Sequence, residues 1–329
     1  MNKINIALLA GGDSSEKEIS FQSAARVSES LDTSKYNVYL INISGRSWTY
    51  LSKEGTEIQV DKNDFSLTVG SQKIIFDYAL ILIHGTPGEN GKMQGYLDMM
   101  GVSYSSCDLT STVVTFDKLL CKIAVKESGV NLAKHIYIKS GDNVDPERLV
   151  AELGLPLIIK PTASGSSFGV TKVRNADEIP TAIENARKES ANVLAEEFIA
   201  GMEMSCGILI TKKKEYVLPI TEIVPKKDFF DYEAKYMPGF SEEITPARID
   251  EKTKAVVNEM TRNVYKACGC RGVVRVDFII KDGVPYFIEV NSIPGMSGGS
   301  IVPKQASVIG LTLGELYDMI IEDTYTPRR

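Results

Sequence analysis

Arg, Asp, Glu and Asn side chains that share one face of a β-ribbon can hold a hard divalent cation against a polyanion. Residues 272–295, GVVRVDFIIKDGVPYFIEVNSIPG, have that pattern. They read as two strands around an Asp282-Gly283 turn signal. The two-residue period puts Val274, Val276, Phe278 and Ile280 on one face and Arg275 and Asp277 on the other. On the second strand Tyr286, Ile288 and Val290 point one way, and Phe287, Glu289 and Asn291 the other. A hairpin with one solvated face explains any single charge here. Four groups at matched parity, running into Pro294-Gly295, suit a metal site. Oxygen ligands without Cys or His favour Mg²⁺ or Mn²⁺, held by Asp277, Glu289 and Asn291 with substrate phosphates completing the shell.

This reading carries a geometric requirement. Asp277 and Glu289 must lie opposite each other, with Arg275 near Asn291. A two-residue Asp282-Gly283 loop pairs Lys281 with Val284 and sets Asp277 against Ile288, which breaks the shared face. The sequence therefore predicts a three-residue loop or a bulge, with Gly283 at positive φ.

The elements that carry this ribbon belong to a chain of 329 residues, long enough for two or three domains, with 43% hydrophobic content to fill their cores. Strand and helix patterns alternate from the start, as in an α/β protein. The net charge of -6 and the lack of a long basic run argue against a nucleic-acid surface. The five cysteines are irregularly spaced, and with two His in the chain they form no zinc pattern. Reduced, mostly buried thiols in a cytosolic protein are the simplest account. The N-terminus reads as a first strand rather than a signal peptide, and no segment reaches membrane-spanning length.

Residues 4–9 form an apolar run typical of a buried parallel strand. Gly11-Gly12-Asp13-Ser14-Ser15-Glu16 follows, then a helix from about Ser15 with Ile19, Ala24, Val27 and Leu31 on one face. Such a helix start can hold an anion. Glu16 there is either a capping or dipole-complementing acid or an acid aimed at a substrate ammonium. The full G-x-G-x-x-G pattern is missing, so a dinucleotide site is not supported. Strands are predicted over 36–43 and 76–83, with a β excursion over 48–76. His84 begins a loop (84–91) at the C-terminal edge of a strand, where ligands of open α/β sheets sit. It either orients a substrate or is a structural His bonded to the loop backbone.

A helix over 114–128 carries Lys118. The strand at 157–160 ends in Lys160, and Ala163-Ser164-Gly165-Ser166-Ser167 follows. This Gly/Ser loop is either a phosphate cover or an ordinary surface hairpin loop; the P-loop pattern is absent. After a helix near 176–188, the strand at 193–199 could offer an adenine edge backbone groups, with Glu203 on ribose; a domain-connecting strand explains it equally well. Residues 225–246 read as a long loop, either a lid presenting Lys235 and Tyr236 or a surface insertion. A helix near 250–267 presents Val256, Met260, Val264 and Ala267. Residues 297–303 read as a Gly-rich loop, and a closing helix at about 313–323 has Leu316, Ile320 and Ile321 on one side.

Taken in order, GGDSSEKEIS (11–20), HGTPGENGKMQG (84–95), FDKLLCK (116–122), KPTASGSSFGV (160–170), FFDYEAKY (229–236), RVD (275–277) and EVNSIPGM (289–296) resemble the D-alanine–D-alanine ligase family of the ATP-grasp superfamily. Each motif is moderately specific; their joint occurrence in order is highly so, and it covers nearly the whole chain. The resemblance implies an α/β (α+β) ATP-grasp fold. Its parts would be an N-terminal Rossmann-like parallel-sheet domain (1–106), a central ATP-grasp domain (107–200) and a C-terminal catalytic domain (201–329) with a lid at about 225–246. It implies a cytoplasmic homodimer that serves peptidoglycan precursor synthesis.

The implied reaction has two steps. The carboxylate of one D-alanine attacks the γ-phosphate of ATP to give D-alanyl phosphate; the amine of a second then attacks that carbonyl and phosphate leaves. By the same resemblance, Asp277, Glu289 and Asn291 hold two Mg²⁺ (or Mn²⁺), with Lys118, Lys160 and Lys235 on phosphate oxygens beneath Ser166 and Ser167. Glu196, Glu197, Phe198, Ile199, Glu203 and Phe229 form the adenosine pocket. Glu16 binds the first ammonium in a set with Ser166 and Tyr236, and His84 lies beside the substrates. Arg275 and the Gly295 N–H stabilise the oxyanion; Ser300 and Ile301 take the second carboxylate. Family members often carry Ser-His where this chain has Gly298-Gly299, which loosens the expectation for the acceptor. Tyr236 matches ligases that make the dipeptide rather than a D-lactate ester. The alternatives are a different acceptor such as D-serine, or a nucleotide-binding protein without catalysis.

Overall fold

The computed structural model describes residues 3–52, 54–225 and 241–328. Three sheets follow one another along the chain. The first uses β1 (Ile4–Gly11), β2 (Tyr36–Ser44), β3 (Ser47–Leu51) and β4 (Glu57–Gln59), then, after the small hairpin of β5 (Ser66–Val69) and β6 (Gln72–Ile75), β7 (Tyr78–Ile81) and β8 (Ser103–Tyr104). Its order is β4-β3-β2-β1-β7-β8, parallel from β2 to β8 with β3 and β4 added antiparallel. Helices α1 (Lys17–Ser30) and α2 (Lys92–Met99) accompany it, and α3 (Leu109–Phe116) and α4 (Lys118–Val125) lead out of it.

After the short β9 (Asn131–Leu132) comes a four-stranded antiparallel sheet of β10 (His135–Ile138), β11 (Leu157–Pro161), β12 (Thr171–Val173) and β13 (Val193–Glu197), ordered β10-β13-β11-β12, with α5 (Pro146–Leu153) and α6 (Ile179–Arg187). The third sheet uses β14 (Met202–Ile210), β15 (Glu215–Val217), β16 (Thr221–Pro225), β17 (Ser241–Ile244), β18 (Val273–Lys281) and β19 (Val284–Asn291). Its order is β17-β16-β14-β18-β19-β9, with β15 also on β14. α7 (Glu251–Ala267), α8 (Ile301–Val308) and α9 (Leu313–Thr324) complete the described helices.

The apolar run of β1 is explained by its place between two parallel neighbours, with both faces covered. Ala24 and Val27 of α1, Leu31 just past its end, and Leu316, Ile320 and Ile321 of α9 share one core with Ile6 and Leu8. Ile19 is not part of that stripe; it is half-buried and lines a cavity. In the second sheet Leu157, Ile159, Val193 and Ala195 enter the core beneath α5 and α6. Period two then turns Ile158, Lys160 and Glu196 to the opposite face. In α7 the buried stripe runs through Val257, Met260 and Val264: Met260 and Val264 are buried as the sequence predicts, while Val256 and Ala267 are exposed and their places are taken by Val257 and Cys268.

Two further expectations change. The predicted helix over 114–128 is α3 and α4, broken at Asp117, whose extended backbone (φ -86, ψ 113) lets its carboxylate accept from the Leu119 and Leu120 amides at 2.9 and 3.0 Å. The cap satisfies donors that a continuous helix would have used internally. The Gly-rich loop predicted over 297–303 instead ends at Ser300, the N-cap of α8.

Candidate active site

The β18–β19 register pairs Arg275 with Asn291 and Asp277 with Glu289, then shifts, so that Phe278 faces Phe287 and Lys281 faces Val284. The turn is the tight two-residue one, with Asp282 at φ 52 and Gly283 at φ 76, as a type I′ turn requires. The three-residue loop does not form; the bulge does, and Ile288 is the extra residue. One inserted residue restores the opposition of the two acids that the tight turn alone would have broken. It also reverses the side-chain parity beyond it. Phe287 and Val290 both join the core with Val276 and Phe278, contrary to the uninterrupted alternation that grouped Phe287 with Glu289.

The acids arrive with cations attached. Asp277 accepts from Arg275 Nε and Nη2, each at 2.8 Å, and from the Ser205 hydroxyl at 2.5 Å. Glu289 lies 3.2 Å from the Lys118 ammonium, which also donates to the Ser164 carbonyl at 2.9 Å. Asn291 Oδ1 accepts from the Ile293 amide at 3.2 Å. Lys118 is the first residue of α4, and its own amide donates to the Thr162 carbonyl at 2.7 Å, so the helix start is tied to the Gly/Ser loop.

On the second sheet Lys160 lies 2.9 Å from Glu196 Oε2, and the buried Lys122 lies 3.2 Å from Oε1. Burial pushes the Glu196 carboxyl up, but the Lys160 and Lys122 charges outweigh it and hold it below the usual carboxylate range. Burial, helped by the other lysines, holds Lys160 below the ordinary lysine value. Glu197 turns its carboxylate to the Lys134 amide at 2.7 Å, and the Phe198 ring carries the Lys172 ammonium 3.6 Å from its centroid.

Glu16 is the N-cap residue of α1 but makes no side-chain cap bond, which removes the capping reading and leaves the dipole-complementing one beside the substrate one. Its carboxylate faces the Gly/Ser loop, since a Cβ on Gly165 would stand 2.7 Å from Oε2. In that loop Ser166 and Ser167 both take positive φ (50 and 58), an unfavourable backbone for residues with a Cβ and a feature that clusters at functional sites. His84 is buried, its Nε2 has no hydrogen-bond partner, and burial pushes its pKa down toward the neutral imidazole. Glu89, in the same loop, accepts from the Gly85 amide at 2.7 Å; burial and the Glu16 charge push its carboxyl up to about 8.

The described residues assigned to the site from the sequence, and Glu89, line one cavity of about 790 Å³, Ile199, Glu203, Gly295, Ser300 and Ile301 among them, a size that suits small ligands. Lys122 and Ser205 stand behind it. Ser300 and Ile301 sit at the start of α8, where unsatisfied backbone N–H groups favour an anion. Phe229, Lys235 and Tyr236, with most of the predicted lid, lie outside the described residues. Pro225 and Ser241, on either side, are register partners of β16 and β17, so 241–244 is strand rather than loop. Lys122, Glu89 and Ser205 escaped the sequence reading. The first two stand inside quoted motifs, and Lys122 follows Lys118 at helical spacing, which was the available signal.

The family model described as D-ala D-ala ligase C-terminus matches residues 124–322, and the one described as D-ala D-ala ligase N-terminus matches residues 5–107. A D-alanine--D-alanine ligase of Azobacteroides pseudotrichonymphae is 47% identical over 320 residues, 97% of this chain and 99% of the relative. The VanG D-Ala:D-Ser ligase of Enterococcus faecalis superposes with a TM-score of 0.87 at 31% identity, covering 98% of this chain and 99% of that one. The D-alanine--D-alanine ligase of Bacillus anthracis, solved in complex with ATP, gives 0.78 at 32%, covering 98% and 97%. The chain belongs to the D-alanine–D-alanine ligase family.

Proposed function

We propose that the protein joins two D-alanine molecules into D-alanyl-D-alanine for peptidoglycan synthesis, with ATP cleaved to ADP and phosphate. The observation that carries this reading is the convergence in one cavity of Glu16 and His84, the two lysines 118 and 160, the oxygen ligands of the β-ribbon and the start of α8. In the first step the D-alanine carboxylate attacks the γ-phosphorus and the bond to ADP breaks, leaving D-alanyl phosphate. In the second the amine of the other D-alanine attacks the carbonyl carbon, loses a proton, and phosphate departs.

The first step opposes like charges, each pair costing about 4 kcal/mol at 4 Å and an effective dielectric near 20. Lys118 and Lys160 offset that cost by moving from Glu289 and Glu196 toward phosphate oxygens. Two carboxylates and an amide oxygen on one face, without sulfur or imidazole, fit Mg²⁺ or Mn²⁺. Among the described residues no trio of His, Cys, Asp or Glu is gathered for a metal; ATP oxygens and water would complete each shell. When bound, two such ions neutralise the γ-phosphate and align it for in-line attack. Arg275 and the Gly295 N–H are assigned to the oxyanion of the second step, and the start of α8 to the second carboxylate. Glu196, Glu197, Phe198, Ile199 and Glu203 are assigned to adenosine; Phe229, Lys235 and Tyr236 keep their family-based roles.

Glu16 is assigned to the first ammonium. Gly165→Ala is then expected to raise the KM for D-alanine about tenfold with little change in melting temperature, because the added methyl displaces the flexible end of Glu16 and no backbone. An unaltered KM would contradict the assignment.

We assign domains at 1–106, 107–200 and 201–329, a division supported by the three sheets near 200, although β9 and the buried apolar side chains of 107–130 pack with the third sheet. We also assign a cytoplasmic homodimer, which a monomer mass by sedimentation would remove. Among the described residues no helix is long and apolar enough to cross a membrane. A second reading, D-serine as acceptor, has the side-chain-free Gly298-Gly299 and the enterococcal neighbour in its favour.

Phosphate release with D-alanine alone, and with D-serine or D-lactate added, tests both readings with and without chelator. Release is expected to require D-alanine and a divalent cation, with negligible D-lactate ester. Silence with D-alanine in Mg²⁺ would overturn the function, and preferential consumption of D-serine would select the second reading.

A further inference from the structure

We propose that Lys122 is a positioning residue for nucleotide binding: it is the standing counter-ion of Glu196, and it lets Lys160 leave that carboxylate for a phosphate. The inference rests on the reading that ATP lies over Lys160 and Glu196, and it adds a residue that reading does not use.

Lys122 is 1% exposed and absent from the described lining of the cavity, whereas Lys160 and Glu196 both line it. It therefore acts on the nucleotide through Glu196. Glu196 is itself 6% exposed and stands between two ammonium groups, Lys160 at 2.9 Å and Lys122 at 3.2 Å. Both ammonium groups draw the Glu196 carboxyl down, by charge and by close side-chain contact, Lys160 more strongly than Lys122. At 3.2 Å the Lys122 contact is the longer of the two, and its Nζ and Glu196 Oε1 do not meet in well-aligned hydrogen-bond geometry. Lys122 thus supplies charge while Oε1 keeps its acceptor capacity. A buried acceptor of that kind, on a cavity-lining residue, suits the amino group of a purine base.

Charge balance shows why a second lysine is needed. One buried lysine on one buried carboxylate is a closed neutral pair. To reach a phosphate, Lys160 would have to abandon a bare carboxylate in a place where an unpaired charge is costly. With Lys122 present, the group of three carries one surplus positive charge, and Glu196 stays compensated when Lys160 turns. The helix arranges this directly. Lys118 and Lys122 are four apart on α4 and so lie on one side of it, with Lys118 at the Gly/Ser loop and Lys122 at Glu196.

The test is steady-state kinetics on Lys122→Met, which keeps most of the length of the side chain and removes its charge. The KM for ATP is expected to rise roughly ten- to a hundred-fold, the scale seen when a supporting partner of a site is lost. The KM for D-alanine should stay within about twofold, and Lys122→Arg should restore most of the loss. In a Glu196→Gln background, where there is no carboxylate to compensate, adding Lys122→Met should change the KM for ATP little. A folded Lys122→Met enzyme with an unchanged KM for ATP, or with both KM values raised alike, overturns the proposal. If Lys122→Met alone does not fold, Lys122→Gln and the double variant give the same readout, and a double variant much weaker for ATP than Glu196→Gln alone overturns it. Wild-type protein in the same assay separates the two levels: no D-alanine-dependent turnover there removes the ligase reading itself.

Discussion

Asp277→Asn is expected to lower kcat by about a thousandfold or more and to raise the Mg²⁺ concentration needed for half-maximal turnover. A thousandfold corresponds to roughly 4 kcal/mol of barrier, the scale of one preorganised group acting on charge that develops in the transition state. Asp277 is shared between two tasks. It fixes Arg275 by a two-point contact, and it is one of only two carboxylates on the ligand face of the ribbon. Asparagine keeps the shape but removes the charge, and its amide nitrogen would meet a donor of Arg275 where an oxygen now accepts. Alanine is the harsher change, because it leaves the half-buried guanidinium without its partner. Turnover within tenfold of wild type, with an unshifted Mg²⁺ titration, would contradict the assignment of the metal to this ribbon.

Glu89→Gln is expected to stabilise the protein increasingly as pH rises from about 5 to about 8. The folded-state carboxyl, pushed up to about 8 from 4.5 by burial and then by Glu16, stays protonated while the unfolded chain releases its proton. Stability conferred by the bound proton is complete below the unfolded pKa and is lost as pH rises through the folded one. Over that window the wild-type loss approaches roughly 5 kcal/mol as an upper bound, at 1.36 kcal/mol per unit. Glutamine can still accept from the Gly85 amide and has nothing to ionise. Denaturation midpoints of both proteins at pH 5, 6.5 and 8 check this, and curves that stay parallel would mean that Glu89 is ionised in the folded state. The buried acid also lies near Glu16 and Glu289, so a neutral Glu89 keeps a third negative charge out of the cavity.

The sequence was most legible where chemistry is carried by residue type. The apolar and charged faces of β18 follow from period two, and the need to bring Asp277 opposite Glu289 predicted an irregularity before any coordinates. It was less legible where two devices satisfy one requirement. A longer turn and a bulge both bring the acids together, and Asp282-Gly283 already suits a tight turn, so the bulge had to be elsewhere and Phe287 changed face. The helix break at Asp117 has a local signal, an acid that can cap. An apolar pattern running through it hid the break. Likewise Ser300, read within a Gly-rich loop, is the cap of a helix with Pro303 in its first turn.

By itself, the order of motifs determined the family, the reaction and most of the residues that meet in the cavity, because each motif is local and each carries its own donors, acceptors or charges. Only the tertiary structure decided which charges neutralise which. Lys118 with Glu289, Lys122 and Lys160 on one Glu196, and Glu16 against Gly165 join segments far apart in the chain. The same holds for the proton on Glu89, since burial is a property of everything packed around a group and not of its neighbours in sequence.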